Sequence, residues 1–249
     1  SGLVGSEMCI RDRLTAIIVA AGSSRRMGFD KLLAPLAGSP LFAHSVRAFA
    51  SCPVVDRIVV VSRPGSGEIF SEHATAAGLG REVEVVEGGE ERYLSVWNGL
   101  QTLKGRDGFV AIHDAARPLI TRSAIMGCYE MAQLEGAACC AAPIPDTVKR
   151  AGPDQVITAE VSRDGLWAMQ TPQIFKVDLI LQAYAAVLAK NEMVTDEVTA
   201  VQRLGRKVSL FSTGDWNFKV TFPRDVEMAE QVMEIRRLRR GNDVEAGAE

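Results

Sequence analysis

The stretch that decides the fold is Leu14-Thr-Ala-Ile-Ile-Val-Ala-Ala-Gly-Ser-Ser-Arg-Arg-Met27. It begins as a short apolar run rich in β-branched side chains, and Gly22 then opens a turn of serines and arginines. A strand that leads into a Gly/Ser turn presents several backbone N–H groups outward, which is an arrangement that binds anions. The glycine also lets the backbone approach a phosphate without a clashing Cβ. The sequence therefore predicts a first strand followed by a candidate phosphate-binding loop.

Similar apolar runs recur along the chain and alternate with amphipathic patterns. The runs predict further strands at 57–61, 82–86, 108–113, 137–143 and 207–211. The amphipathic patterns predict helices at 40–49, 92–104, 123–134, 175–190, 196–204 and 223–240. Continuous apolar runs suit strands that are covered on both faces, so we expect an α/β fold with a doubly wound, mostly parallel, Rossmann-like sheet. Such sheets bind ligands at the carboxyl ends of their strands.

The segment 147–173 breaks this alternation. A turn at 149–155 lies between possible strands at 146–150 and 156–161, which predicts a projecting β-hairpin arm at about 144–172. A two-stranded hairpin is marginally stable alone, so a second subunit is its simplest packing partner. We expect one domain at 14–241, preceded by a non-native or disordered extension at 1–13 and followed by a polar tail at 242–249.

The composition argues against several classes of function. With 28 basic and 31 acidic residues, the chain has a net charge of −3, which does not suit a nucleic-acid surface. Its 5 cysteines show no C-x-x-C spacing and fit a reducing compartment. Its 3 histidines lack the spacing of zinc ligands. The apolar stretches are far shorter than the ~20 residues of a membrane helix. We therefore expect a cytoplasmic protein that binds neither nucleic acid nor a membrane.

A second candidate site residue follows the predicted strand at 108–113. Asp114 lies at the carboxyl end of this central strand, where a carboxylate is a natural ligand for Mg²⁺, because Mg²⁺ prefers hard oxygen atoms and shares them with phosphates. The sequence is about equally compatible with a structural role, in which Asp114 forms an ion pair with Arg117 and stabilises the turn. His113 is interpreted as a packed strand residue. The sequence Thr195-Asp-Glu197 is interpreted as a helix N-cap with acidic residues in the first turn.

Several cations and one further carboxylate lie near predicted strand ends. Arg25, Arg26 and Lys31 follow the first strand and have the chemistry to hold phosphates, although a plain turn with two solvated arginines also explains the pattern. Asp215 and Lys219 follow the strand at 207–211, where loops converge. The loop is neither the dinucleotide G-x-G-x-x-G nor the P-loop pattern.

Eight segments together resemble one family, the 2-C-methyl-D-erythritol 4-phosphate cytidylyltransferases of the non-mevalonate isoprenoid pathway. The segments are Ala20-Ala-Gly-Ser-Ser-Arg-Arg-Met27, Gly88-Gly-Glu-Glu-Arg-Tyr-Leu-Ser95, His113-Asp-Ala-Ala-Arg-Pro118, Asp146-Thr-Val-Lys149, Arg163-Asp-Gly-Leu-Trp167, Gln170-Thr-Pro-Gln173, Thr195-Asp-Glu197 and Lys219-Val-Thr221. The order and spacing of the eight segments are more specific for the family than any single segment is. The resemblance implies an enzyme that joins CTP and 2-C-methyl-D-erythritol 4-phosphate to give 4-diphosphocytidyl-2-C-methyl-D-erythritol and pyrophosphate.

The resemblance also implies roles for individual residues. The nucleotide-binding residues would be Ala20, Ala21, Gly22, Ser23, Arg25, Gly89, Arg92, Ser95 and Ala115. The catalytic residues would be Arg26, Lys31, Lys219 and Arg163. The residues that bind the methylerythritol phosphate would be Asp114, Arg117, Thr147, Arg163, Thr195 and Lys219. The ligands of Mg²⁺, or of another divalent cation, would be Asp114 and Asp215.

The resemblance further implies a homodimer. In that family the hairpin arm of one subunit reaches into its partner's site, so Thr147 and Arg163 would serve the neighbouring subunit. Two other functions remain compatible with the residues: a cytidylyltransferase for another polyol phosphate, such as ribitol 5-phosphate, and a non-catalytic nucleotide-binding domain on the same fold. One departure from the family pattern is Asp30, which stands where the family often has proline.

Overall fold

A computed structural model describes residues 13–22, 30–214 and 216–246, with side chains as far as Arg239. The predicted extension therefore lies outside the described residues except for Arg13. Ser23, Arg25, Arg26 and Asp215 also lie outside them.

Eleven strands and seven helices make up the described chain. In chain order the strands are β1 (Leu14–Val19), β2 (Pro35–Leu36), β3 (Ser39–Pro40), β4 (Val55–Ser62), β5 (Glu82–Glu87), β6 (Phe109–Asp114), β7 (Ala137–Pro143), β8 (Val148–Ala151), β9 (Ile157–Val161), β10 (Trp167–Lys176) and β11 (Ser209–Ser212). The helices are α1 (Leu41–Ala50), α2 (Gly67–Ala77), α3 (Arg92–Gln101), α4 (Arg122–Glu135), α5 (Val177–Ala189), α6 (Glu197–Arg203) and α7 (Arg224–Ala246).

Seven of the strands form one sheet in the order β11-β7-β10-β6-β1-β4-β5. Every neighbouring pair in it is parallel except those of β10, which runs antiparallel to both β6 and β7. The predicted α/β fold with a mostly parallel sheet is confirmed. The carboxyl ends of β1, β4, β5 and β6 consequently meet at one edge of the sheet.

Helices cover both faces of the sheet, as the continuous apolar runs predict. On β1, Ala16 and Ile18 belong to a core cluster that includes Phe42 of α1 and Tyr129 of α4. Ile17 belongs to a second cluster, with residues of α3, α5 and α6. Alternate side chains of one strand thus enter different cores, because successive residues of a strand point to opposite faces.

Three helices differ from the sequence-based predictions. The helix predicted from Phe175 begins at Val177, because Phe175 is a buried residue of β10. The helix α2 was not predicted. The last helix continues through Ala246, into the segment predicted as a polar tail, because no proline follows Arg240 and Glu245 and Ala246 are good helix formers.

The predicted hairpin arm is present as β8 and β9, which pair in a two-stranded sheet of their own. The backbone N–H of Gly152 donates to Val156 at 3.0 Å and closes the turn. The arm is shorter than predicted, because residues from Trp167 onward belong to β10, which pairs with β7. None of the helices in the described ranges is both long and apolar enough to cross a bilayer.

Candidate active site

The backbone after β1 lies beside the carboxyl end of β6. In the parallel register, Val19 is the partner of Asp114, and the N–H of Ala115 donates to the carbonyl of Val19 at 3.1 Å. The N–H of Ala20 donates to Val61 of β4 at 2.8 Å. The start of the candidate phosphate loop and the candidate carboxylate are therefore neighbours, as the sequence predicts.

The carboxylate of Asp114 lies between two cations from distant parts of the chain. Its Oδ2 accepts from Lys219 Nζ at 2.7 Å. Its Oδ1 accepts from Arg92 Nε at 3.2 Å and from Arg92 Nη2 at 3.1 Å. Lys219 follows β11 and Arg92 begins α3, so three predicted site residues meet here.

These cations determine the charge state of Asp114. Burial alone would raise the pKa of its carboxyl, but the charges of Arg92 and Lys219 outweigh burial and hold the pKa well below its usual range. The pKa of Arg92 is raised, because its attraction to Glu197 and Asp114 outweighs the effect of burial. Asp114 and Arg92 are therefore both ionised at neutral pH.

Arg117 does not form the ion pair with Asp114 that the structural alternative required. Its Nη1 donates to the carbonyl of Asn217 at 2.8 Å, and its Nη2 donates to the carbonyl of Met169 at 3.4 Å. The hydrogen bond between the two residues runs from the N–H of Arg117 to the carbonyl of Asp114 at 2.9 Å, and their side-chain charges attract each other without forming a close ion pair. The guanidinium instead ties the loop that carries Lys219 to β10.

Buried neighbours hold the end of β6 in place. The hydroxyl of Thr171 on β10 accepts from the N–H of Asp114 at 3.0 Å and lies 3.0 Å from His113 Nδ1. The other ring nitrogen, Nε2, is 3.2 Å from the carbonyl of Arg117. The neutral tautomer with its proton on Nε2 satisfies both contacts, and burial lowers the pKa of His113 to about 4. His113 is thus a packed strand residue, as predicted.

Lys31 joins the same site from the other end of the loop. Its Nζ donates to the carbonyl of Val220 at 2.9 Å, next to Lys219 in the chain. Asp30 accepts from the N–H of Leu32 at 3.2 Å and forms an ion pair with Arg63. Asp30 therefore shapes the turn at Lys31 through polar contacts.

A second turn at this edge follows β5. The hydroxyl of Ser95 accepts from the N–H of Gly89 at 3.1 Å. A Cβ at Gly88 would lie 2.5 Å from Ala21 Cβ, which shows how closely this turn approaches the backbone after β1. Ala21, a predicted nucleotide-binding residue, is thus a close neighbour of the turn that carries Gly89.

Three predicted substrate residues are exposed to solvent: Thr147, Arg163 and Thr195. Arg163 donates to the carbonyl of Pro145, at the base of the arm. No described contact joins Thr147 or Arg163 to Asp114 of the same chain. Their predicted roles stay predictions, as do those of the four site residues that lie outside the described ranges.

Sequence reasoning missed one buried group of the site. Asp196 caps α6 as predicted, since it accepts from the N–H of Thr199 at 2.9 Å. Glu197, interpreted only as part of this first turn, pairs with Arg92 at 2.8 Å. The local sequence carries no signal for this pair, because the partner lies 105 positions away.

The residues present fit a divalent cation only in part. Among the described residues, no group of three or more His, Cys, Asp or Glu side chains is placed to hold a metal ion. Asp114 supplies hard oxygen atoms, but both accept from cations here. Mg²⁺ commonly takes one or two carboxylates and completes its shell with substrate phosphates and water, and Asp114 fits such a set.

An open sheet of this order, with a candidate phosphate-binding backbone at the end of β1 and cations around a carboxylate at the end of β6, is typical of the class of nucleotidyltransferases. The family model described as 2-C-methyl-D-erythritol 4-phosphate cytidylyltransferase matches residues 14–235. The chain belongs to this family.

Individual relatives agree with the family model. The chain is 39% identical over 223 residues to the 2-C-methyl-D-erythritol 4-phosphate cytidylyltransferase of Symbiobacterium thermophilum, with 89% of this chain and 93% of the relative covered. It is 38% identical to that of Pelotomaculum thermopropionicum, with 95% and 99% covered. The crystal structure of the enzyme from Thermus thermophilus has a TM-score of 0.74 at 28% identity, with 88% of this chain and 98% of that chain covered.

Proposed function

We propose that this chain transfers the cytidylyl group of CTP to the phosphate of 2-C-methyl-D-erythritol 4-phosphate. The products are 4-diphosphocytidyl-2-C-methyl-D-erythritol and pyrophosphate. The observation that carries the proposal is the meeting of Lys219, Asp114 and Arg92 at the sheet edge, beside the backbone after β1, in a chain of this family. No observation favours another acceptor or a non-catalytic role.

The chemical step needs positioning more than proton transfer. A phosphate oxygen of the acceptor forms a bond to the α-phosphorus of CTP, and the bond from that phosphorus to the bridging oxygen breaks. Pyrophosphate leaves with the electron pair. Because the attacking oxygen is already ionised, no general base is required. The work of the protein is to hold two polyanions together and to stabilise the developing charge.

The described residues suggest a division of this work. The backbone at 20–22 and Lys31 would hold the triphosphate, while Lys219 would neutralise the phosphates at the reacting centre. Arg26 would add a further charge. A divalent cation such as Mg²⁺, held by Asp114 and Asp215, would neutralise charge on the phosphates when bound.

The acceptor is tested with a panel. The purified chain is supplied with CTP, Mg²⁺ and either 2-C-methyl-D-erythritol 4-phosphate or ribitol 5-phosphate, and pyrophosphate release is followed. We expect turnover with the methylerythritol phosphate. Preference for ribitol 5-phosphate would replace the proposed acceptor, and CTP binding without turnover on any acceptor would favour a non-catalytic domain.

We also propose that two copies of the chain share their sites through the arm. The arm exposes Val156 and Ile157, at 59% and 65%, at its tip. An isolated two-stranded hairpin is marginally stable, so apolar residues here suit packing against a partner. Thr147 and Arg163, on the arm, would then contact the acceptor bound to the other subunit.

The shared site can be tested by mixing two inactive variants, Arg163→Ala and Lys219→Ala, by co-expression. If the arm serves the partner, a mixed dimer has one intact site, and random pairing restores about a quarter of the wild-type sites. If each arm served its own subunit, no mixed dimer would have an intact site. Absence of recovery in verified mixed dimers would therefore refute the shared site.

The predicted cytoplasmic location stays a prediction.

A further inference from the structure

Glu197 is a buried carboxylate that none of the proposed steps uses. Its side chain is 0% exposed. It accepts from Arg92 Nη1 at 2.8 Å, from Arg92 Nη2 at 3.1 Å and from the Tyr184 hydroxyl at 3.0 Å. A buried charge is costly unless it is paired and hydrogen-bonded, and these contacts meet both conditions.

Arg92 connects this buried carboxylate to Asp114. One edge of its guanidinium forms a two-point contact with Glu197, and Nε and Nη2 donate to Asp114 Oδ1. Four hydrogen bonds therefore engage four of the five N–H donors of the side chain. The guanidinium is held from two sides and cannot turn without breaking contacts on one of them.

The sheet fixes Glu197 in turn. Gln173 of β10 accepts from the N–H of Val198 at 3.0 Å and donates to Asp196 at 3.2 Å. The Tyr184 ring is stacked on Trp97 of α3, with ring centroids 6.2 Å apart. Elements on both sides of Arg92 therefore position the carboxylate.

We infer that Glu197 is a positioning residue for the transfer reaction: it holds Arg92 so that Asp114 keeps one oxygen for Lys219. The effect of Glu197 on kcat rests on the proposed function. Glu197 and Asp114 share the charge of Arg92, so Asp114 engages it through Oδ1 alone. Its Oδ2 remains with Lys219.

Loss of the charge of Glu197 changes how the two oxygens of Asp114 are divided between Arg92 and Lys219. Among the described residues, Arg92 then has Asp114 as its only ionised partner, and a two-point contact of both carboxylate oxygens with the guanidinium becomes the favoured geometry. Oδ2 turns toward Arg92, and Lys219 loses the contact that holds it at the reacting centre. We expect kcat to fall by about tenfold to a hundredfold, as for other residues that orient a site carboxylate.

The kinetic test compares Glu197→Gln with Glu192→Gln. Glu192 is a matched control, because it pairs with Arg203 at 2.7 Å on the surface and has no proposed role. We expect the control to keep kcat within about twofold of the wild type. Tyr184→Phe, which leaves the pair with Arg92 intact, should have a smaller effect than Glu197→Gln.

A double-mutant cycle separates positioning from a purely structural role. If Glu197 acts through Lys219, then Glu197→Gln should lower kcat much less in a Lys219→Met background than in the wild type. A structural role would lower the thermal midpoint and the folded fraction while leaving kcat per folded molecule unchanged. That result, or equal fold-losses in both backgrounds, would overturn the inference.

A crystal structure of Glu197→Gln tests the inference without reference to the substrate. We expect Asp114 to form the two-point contact with Arg92 and to lie beyond hydrogen-bond distance of Lys219 Nζ. An unchanged pair at 2.7 Å would overturn the inference. If the wild type failed to turn over CTP but the variant showed this rearrangement, the proposed function would fail while the positioning role remained.

Discussion

Replacement of Lys219 by methionine should separate activity from stability. The substitution keeps the length of the side chain and removes its charge, which lies 2.7 Å from Asp114 Oδ2. Asp114 retains Arg92 as a partner, so no buried charge is left alone. The Lys219 side chain is 40% exposed, and a pair of this kind contributes at most about 1 kcal/mol to stability.

The effect on catalysis should be larger. A charge that faces the reacting phosphates stabilises the transition state without reorganisation, and its removal typically costs ~3 kcal/mol, which is about a hundredfold in kcat. The stability change corresponds to a shift in thermal midpoint of only about 2–4 °C for a chain of this size. Replacement of Lys219 should therefore lower kcat strongly and lower the free energy of unfolding only slightly.

The assay follows pyrophosphate release at saturating CTP and acceptor, with thermal unfolding measured on the same preparations. Lys190→Met is the matched control, because Lys190 is an exposed lysine at the end of α5. We expect the control to keep wild-type turnover. A Lys219→Met variant with turnover near that of the wild type would refute the catalytic role of Lys219. A large fall in its thermal midpoint would refute the argument that a half-exposed ion pair contributes little to stability.

Three other predictions follow from the same geometry. Lys31→Ala should lower kcat by at least about a hundredfold with the fold intact, and near wild-type turnover would remove its catalytic role. Because burial lowers the pKa of His113 from 6.5 to about 4, the unfolded chain takes up this proton first, and the free energy of unfolding should fall by roughly 3 kcal/mol from pH 6.5 to 4. Urea unfolding should show that this fall persists in His73→Asn but is reduced in His113→Asn; equal pH profiles would contradict the assignment. Gly88→Ala places a Cβ 2.5 Å from Ala21 Cβ, so it should raise KM for CTP and lower the thermal midpoint, and wild-type values for both would show that the turn can adjust.

The parallel strands were predictable because burial on both faces leaves a strong pattern. The runs in β1, β4, β6 and β7 are predominantly apolar, and the structure places each of them within the sheet. The strand β10 was not predicted. Its central residues include Gln170, Thr171 and Pro172, and proline argues against a central strand. The ladder to β7 shifts register between Met169 and Gln173, which accommodates these residues.

The site was predictable where residues follow strand ends. Asp114 and the backbone after β1 lie side by side because parallel strands end at the same edge. The contacts of Glu197 were not predictable from local pattern, since an acidic residue in the first turn of a helix is explained equally well by capping. Its pairing with Arg92 depends on how α3 and α6 pack, and that packing is a property of the whole fold.

The most direct test of the account is a crystal structure of the chain with CTP and Mg²⁺. The central claim is that groups from distant parts of the chain surround one polyphosphate at the carboxyl edge of the sheet. We expect the triphosphate to lie against the backbone at 20–22, within hydrogen-bond distance of Lys31, with the metal ion between the phosphates and Asp114. A triphosphate bound elsewhere, with no metal ion at Asp114, would contradict the claim.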